Sequence, residues 1–156
     1  MIDPPHVSQT IQRCTAVIRM VVPKAEIQRV MGAAIGEVIA TVTAQGLTPS
    51  GPLFTHHFRL DPEVFDFEVG VPVNTPVTAV GRVVSGHLRA AQVATTVYHG
   101  PYEGLESAWQ EFTDWLSSQE LTPADDVWEY YRIGPEAGPD PAIWETDLIQ
   151  PLDDAV

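Results

Sequence analysis

A chain of 156 residues with 44% hydrophobic residues is long enough to form one domain around its own core. Eight basic residues against 21 acidic ones give a net charge of −13, which leaves no basic face for nucleic acids or anionic membranes. A single cysteine, the lack of a secretory leader pattern and the lack of a membrane-length apolar run favour a cytoplasmic protein.

The first half of the chain alternates strand and helix patterns. β-Branched, apolar residues predict a strand that stops at Pro23, and apolar residues spaced by three and four predict a helix that ends at Gly46. In chain order the predicted parts are a tail over residues 1–14, a strand over 15–22, a helix over 27–42, strands over 53–60 and 64–73, and a connector over 74–92 with an extra strand near 81–84.

The second half repeats this order. Its predicted parts are a strand over residues 93–99, a helix over 105–116, strands over 127–133 and 143–152, and a tail over 153–156. The phrase Gln45-Gly46-Leu47-Thr48-Pro49 after the first helix returns 74 residues later as Gln119-Glu120-Leu121-Thr122-Pro123. The pattern therefore predicts an α+β fold of two strand-helix-strand-strand repeats, 15–73 and 93–152, with a ligand cleft between them.

Several separated segments resemble one known family. They are Phe65–Val73, Tyr98–Leu105, Trp109, Trp128–Tyr131 and Thr146–Leu152, in the family's order over residues 15–152. This region is similar to the GyrI-like small-molecule-binding domain, the effector-binding domain of AraC-type and MerR-type multidrug-sensing regulators. The resemblance implies a curved antiparallel sheet that carries two long helices, with a central ligand cleft.

The resemblance also implies a role for one acid. In drug-sensing members, an acid on the strand that matches Trp128–Tyr131 contacts cationic, lipophilic ligands among aromatic rings, and that acid is Glu129 here. Such regulators join this domain to a DNA-binding helix-turn-helix, and residues 1–14 are too few to form one. We therefore expect a stand-alone form that does not act as a transcription factor.

The residues around Glu129 point to the same acid without the family. Alternation places Glu129 on one face of its strand with Val127, Tyr131 and Ile133. Burying an acid on an apolar face is costly unless the acid is paired or serves a site. The alternative is that this face meets solvent and Glu129 is an ordinary surface acid.

Aromatic residues of the second repeat are further candidates for ligand contact, because aromatic rings stack on flat ligands and face cations. Tyr131 lies beside Glu129, and Tyr98 lies at the end of a predicted strand. Trp109 is also a candidate, although it lies on the apolar stripe of its helix and fits a core position equally well.

In the first repeat the position equivalent to Glu129 is Thr55. Alternation leaves open whether its face, which includes His57, or the opposite face, which includes Phe54, lines the cleft. Both residues are therefore candidate ligand contacts. His56 and His57 do not form a metal site, because neighbours on a strand point to opposite faces and no further ligand motif accompanies them. We expect neither a metal nor a cofactor.

The family resemblance, together with these patterns, implies three functions. The leading hypothesis is a cytoplasmic multidrug-binding protein for lipophilic, cationic or flat aromatic small molecules, with Glu129 as the pocket acid. Because some relatives are hydrolases, the first alternative is an enzyme that opens electrophilic cyclopropanes, with Glu129 as general acid or base and Tyr131 beside it. The second alternative is an inhibitor that binds a DNA gyrase subunit, although the acids are expected to be spread along the chain. The oligomeric state is undetermined.

Overall fold

The computed structural model describes residues 2–60, 63–134 and 138–153. The chain divides into two compact units, which we call the N-half unit (residues 11–90) and the C-half unit (residues 1–10 and 91–156). The strands are β1 (His6–Gln9), β2 (Arg13–Pro23), β3 (Phe54–Leu60), β4 (Val64–Val73), β5 (Val84–Leu88), β6 (Gln92–His99), β7 (Val127–Ile133) and β8 (Glu145–Pro151), and the helices are α1 (Ile27–Ala44) and α2 (Leu105–Ser118). The predicted α+β class is confirmed.

In the N-half unit four antiparallel strands lie in the order β3-β4-β2-β5, with α1 packed on one face. The core forms where the apolar stripe of α1, including Ala34, Val38 and Val42, meets alternate residues of β2 and β4. Ile18 and Val69 are fully buried there. The residues that fill this core recur every 3.6 residues in the helix and every second residue in the strands, which are the spacings from which these elements were predicted.

The C-half unit has the corresponding order β7-β8-β6-β1, again antiparallel. Helix α2 covers one face with Ala108, Phe112 and Leu116, which pack on Leu148 of β8 and Ala94 of β6. We call this the helix-side face of the C-half unit. Neither helix, over the part of the chain that the structure describes, is long and apolar enough to span a bilayer.

The repeat extends to irregularities of the backbone. The β3–β4 register shifts between His57 and Arg59, and the β7–β8 register shifts between Tyr131 and Ile133. These two bulges are 74 residues apart, the same offset that separates the two Thr-Pro phrases. Bulges are designed features of a sheet, so their recurrence at one offset supports a true structural repeat.

The repeated phrase itself ends each helix. Gly46 after α1 and Glu120 after α2 both have left-handed backbones, with φ of 72° and 58°. In each case the next residue's N–H donates to the carbonyl five residues earlier, at 3.0 Å after α1 and 3.1 Å after α2. Both ends are therefore Schellman motifs, in which glycine is the favoured left-handed residue.

Glu120→Gly is expected to stabilise the protein by about 1 kcal/mol, because a left-handed conformation strains a residue that has a Cβ atom. The reciprocal change Gly46→Ala is expected to destabilise it by about the same amount. Urea unfolding of the two variants measures both effects. A Glu120→Gly protein less stable than the parent would contradict this account of the helix end.

Three elements differ from the sequence predictions. Residues 6–9, predicted as part of a tail, form β1, an edge strand whose four exposed residues give no burial pattern to detect. The extra strand lies at Val84–Leu88 rather than near 81–84. The last strand begins at Glu145, because Pro141–Ile143 form a 3-10 turn capped by the Asp140 side chain. Residues 61–62, between the predicted strands 53–60 and 64–73, residues 135–137, between the last two predicted strands, and residues 154–156 of the tail lie outside the described residues.

Candidate functional site

Glu129 lies on the helix-side face of the C-half unit. Its register partner across β7 and β8 is Leu148, which is fully buried beneath α2. Opposed residues of paired strands project to the same face, so the Glu129 side chain points toward the helix. The residue is only 8% exposed, so Glu129 is a buried acid and not an ordinary surface acid.

Both oxygens of the Glu129 carboxylate accept a hydrogen bond from a neutral donor. The Trp109 indole Nε1–H, from α2, donates to Oε2 at 2.6 Å, and the Tyr131 hydroxyl donates to Oε1 at 2.6 Å. Short hydrogen bonds to a carboxylate are among the stronger ones in proteins. Trp109, placed by the sequence on an apolar helix stripe, thus serves both the core and the acid.

The structure gives the Glu129 carboxylate hydrogen bonds from neutral donors rather than ion pairs. No Lys, Arg or His among the side chains that the structure describes forms an ion pair with it. Arg132, the only Lys or Arg of the C-half unit, bonds instead to Asp147 on the opposite face of the sheet. Trp109 and Tyr131 therefore satisfy both carboxyl oxygens without supplying a positive charge.

A series of aromatic rings extends from Tyr131, one of the two donors to this carboxylate. The Tyr131 ring meets the Tyr102 ring edge-on at 5.8 Å between centroids, and Tyr102 meets Trp144 at 5.2 Å. Tyr102 is exposed, whereas Tyr131, Trp109 and Trp144 are half-buried. We call these four residues together with Glu129 the Glu129 site. It combines one buried carboxyl group with four aromatic rings, of which that of Tyr102 is exposed.

Tyr98 lies in the core beneath α2, and its predicted role in ligand contact stays a prediction. Its hydroxyl donates to the Pro101 carbonyl oxygen at 2.7 Å, and its ring belongs to the core beneath α2. Burial, with a smaller effect from the charge of Glu103, raises the pKa of the Tyr98 hydroxyl above its ordinary value. The hydroxyl therefore stays protonated and fastens the turn that starts α2.

The two candidates of the first repeat lie in the N-half unit. His57 stacks on Phe67 of the core at 5.2 Å, on the face where α1 packs. Thr55, the equivalent of Glu129, shares that face through its register partner Val69. Phe54 is fully buried and lies on the other face of β3, so one ligand surface cannot contact both Phe54 and His57. Their role in binding stays a prediction.

Within the described residues no three His, Cys, Asp or Glu side chains lie together as a metal site would require.

Two aromatic residues of the Glu129 site, Tyr102 and Trp144, were missed by sequence reasoning. For Trp144 a signal existed, because alternation already placed it on one face with Thr146 and Leu148. Tyr102 follows a Gly-Pro turn, where no periodicity indicates the direction of a side chain.

A family model decides the classification. The model for the GyrI-like small molecule binding domain matches residues 13–153, nearly the whole chain. The chain belongs to the GyrI-like family. No curated protein sequence matches this GyrI-like domain.

Solved structures agree with this fold. The C-terminal domain of EcmrR superposes with a TM-score of 0.85 at 20% identity, covering 96% of this chain and 97% of that domain. In an EcmrR–DNA complex the GyrI-like domain spans 57% of the EcmrR chain. A hydrolase from Listeria innocua (TM-score 0.64, 14% identity, 96% and 91% covered) and SAV2435 bound to tetraphenylphosphonium (0.66, 8%, 97% and 95%) are also similar. At these identities the likeness establishes the fold alone.

The charge of the GyrI-like domain is concentrated in one unit, so the expectation that it is spread along the chain is wrong. Residues 1–10 and 91–156 hold 15 acids and one basic residue, a net charge of −14. Residues 11–90 hold six acids and seven basic residues, a net charge of +1. The Glu129 site therefore lies in the unit whose field attracts cations.

Proposed function

We propose that this GyrI-like domain binds lipophilic organic cations at the Glu129 site. The observation that carries the proposal is a buried carboxylate held by two neutral donors and bordered by aromatic rings, with no basic partner among the described side chains. A ligand with one positive charge and a flat or globular apolar body complements each of these features.

The energetics favour a cation over a neutral molecule. Removing an unpaired carboxylate from water costs roughly several kcal/mol of free energy, and a bound cation offsets that cost directly. Contact between the cation and a ring adds about 0.5–2 kcal/mol. Because Trp109 and Tyr131 already fix the carboxylate, little side-chain freedom is lost when the ligand arrives.

Tetraphenylphosphonium, the ligand in the SAV2435 structure, is a suitable probe for this chain. Tetraphenylborate has almost the same size and shape and the opposite charge. We expect the phosphonium to bind at least about tenfold more tightly than the borate, as measured by titration calorimetry. Equal affinities, or tighter binding of the borate, would refute a site selective for cations.

The net charge of −14 in the C-half unit leads to a kinetic prediction. The association rate of tetraphenylphosphonium should fall by about tenfold as salt rises from about 20 to 500 mM, because salt screens the attraction between exposed acids and the cation. Stopped-flow tryptophan fluorescence follows the rate. Neutral triphenylphosphine oxide is the control and should show little salt dependence. A salt-independent phosphonium rate would rule out long-range attraction.

A second function is supported by the Tyr131–Glu129 hydrogen bond. A fixed, buried carboxylate next to a hydroxyl can act as a general base on water, and two similar Listeria innocua structures are described as hydrolases. In this scheme Glu129 takes a proton from water, whose oxygen bonds to a cyclopropane carbon. The ring C–C bond breaks, and its electron pair passes to a conjugated carbonyl that is then protonated.

Turnover separates the two functions. Incubation with a spirocyclopropyl dienone, followed by chromatography, should show consumption by the parent protein and none by Glu129→Gln if the domain is a hydrolase. Binding of the compound without consumption would leave the cation-binding function alone.

A further inference from the structure

Thr146 of β8 is fully buried, and its hydroxyl has no hydrogen-bond partner among the described residues. Its register partners are Tyr98 on β6 and Tyr131 on β7. Thr146 alternates with Asp147 and shares a face with Leu148, so it lies on the helix-side face with Glu129. An unsatisfied polar group thus lies opposite Tyr131 of the Glu129 site.

Other polar side chains on this face have partners. The Thr96 hydroxyl, equally buried, donates to the Asp3 carbonyl oxygen at 2.6 Å, and the Gln150 amide donates to three backbone carbonyls. Tyr98 and Tyr131 donate to Pro101 and Glu129. A buried hydroxyl without a partner lowers stability, and valine, of nearly equal shape, would remove that penalty. The Thr146 hydroxyl is therefore the exception on the described part of this face.

We propose that Thr146 is a specificity-determining residue of the Glu129 site, where its hydroxyl forms a hydrogen bond with a polar group of the bound cation. The inference rests on the proposed cation-binding function. Polar groups retained at a cost to stability cluster where they serve a ligand. The half-buried Tyr131, opposite Thr146, contacts the exposed Tyr102, so these rings connect the neighbourhood of Thr146 with the protein surface.

The register defines which cations this arrangement selects. Glu129 on β7 lies opposite Leu148 on β8, and Thr146 lies two residues from Leu148 on β8. Such diagonal neighbours have backbones about 7–8 Å apart. The preferred ligand therefore carries a hydroxyl, carbonyl or amine roughly one such spacing, about 7 Å, from its positive charge.

A matched set of probes tests the proposal. Tetraphenylphosphonium has no hydrogen-bonding group, and its three mono-hydroxyphenyl derivatives differ from it by one hydroxyl at different positions. At least one derivative should bind the parent protein about 3- to 10-fold more tightly than tetraphenylphosphonium does. Thr146→Val should abolish this preference, so that the variant binds the hydroxylated derivative and tetraphenylphosphonium with equal affinity.

Thermal unfolding of the unliganded protein supplies the second readout. Thr146→Val should raise Tm by about 3 °C, whereas the control Thr96→Val, which breaks a formed hydrogen bond, should lower it by about the same amount. A lower Tm for Thr146→Val would show that the hydroxyl already has a partner, and would overturn the proposal. So would an unchanged preference for the hydroxylated probe.

Failure of the two ideas gives different results. If tetraphenylphosphonium binds Glu129→Gln as tightly as it binds the parent, the cation site itself is wrong. If that variant loses binding while Thr146→Val keeps the hydroxyl preference, only the role of Thr146 is wrong.

Discussion

Replacing Glu129 by Gln is expected to weaken tetraphenylphosphonium binding by at least about 30-fold, because removing one member of a buried charge pair typically costs 2 kcal/mol or more. Glutamine suits the site sterically. Its amide oxygen can accept from Trp109 Nε1–H, and its NH2 group can donate to the Tyr131 hydroxyl, which rotates to accept. The fold should therefore survive, and calorimetric titration measures the loss.

Glu111→Gln is the matched control for this experiment. Glu111 is an exposed acid of α2, so its replacement makes the same change in net charge away from the buried carboxylate. We expect this control to change the affinity less than about threefold, since exposed charges act weakly through water. Tetraphenylborate should bind Glu129→Gln better than it binds the parent. Equal loss of phosphonium affinity in both variants would attribute binding to net charge alone.

Gly104→Ala is expected to destabilise the protein by about 2–4 kcal/mol, because there is no room for a methyl group where α2 starts. An added Cβ would overlap the Tyr98 hydroxyl oxygen and lie 3.0 Å from the ring carbon that carries it. Tyr98 cannot turn aside, since it is buried and its hydroxyl is bonded to Pro101. Urea unfolding monitored by circular dichroism measures the change.

Two variants make the Gly104 result interpretable. Gly32→Ala places a methyl group in open space on α1, so it should stabilise the protein by about 0.5–1 kcal/mol. Tyr98→Phe removes the overlapped oxygen, and the double variant with Gly104→Ala should lose less stability than the two single variants together. Additive losses would mean that the Tyr98 hydroxyl is not the obstacle.

The periodicity of apolar residues predicted most of the fold and part of the site. The core positions of α1 and α2 follow from their 3.6-residue spacing, and the alternation of β7 put Glu129 and Tyr131 on one face. The direction of that face became clear only through the pairing of Glu129 with Leu148. Alternation along one strand defines two faces, but burial by another element decides which of them is interior.

Contacts between distant segments could not be predicted in the same way. The Trp109 indole meets the Glu129 carboxylate across 20 residues of chain, and nothing in either segment encodes that distance. The unsatisfied hydroxyl of Thr146 depends on every neighbour that fails to bond to it. Strand β1 forms because β6 offers a free edge, which is a property of the sheet rather than of residues 6–9.

The 74-residue offset also allows the two units to be compared position by position. The carboxylate arrangement consists of Trp109, Glu129 and Tyr131. At an offset of 74 residues, the corresponding positions of the N-half unit hold Ile35, Thr55 and His57. Helix, strand and bulge occur in both units, so the backbone alone does not create the carboxylate arrangement. If the proposed function holds, introducing Trp, Glu and Tyr at these three positions of the N-half unit is expected to create a second cation-binding site.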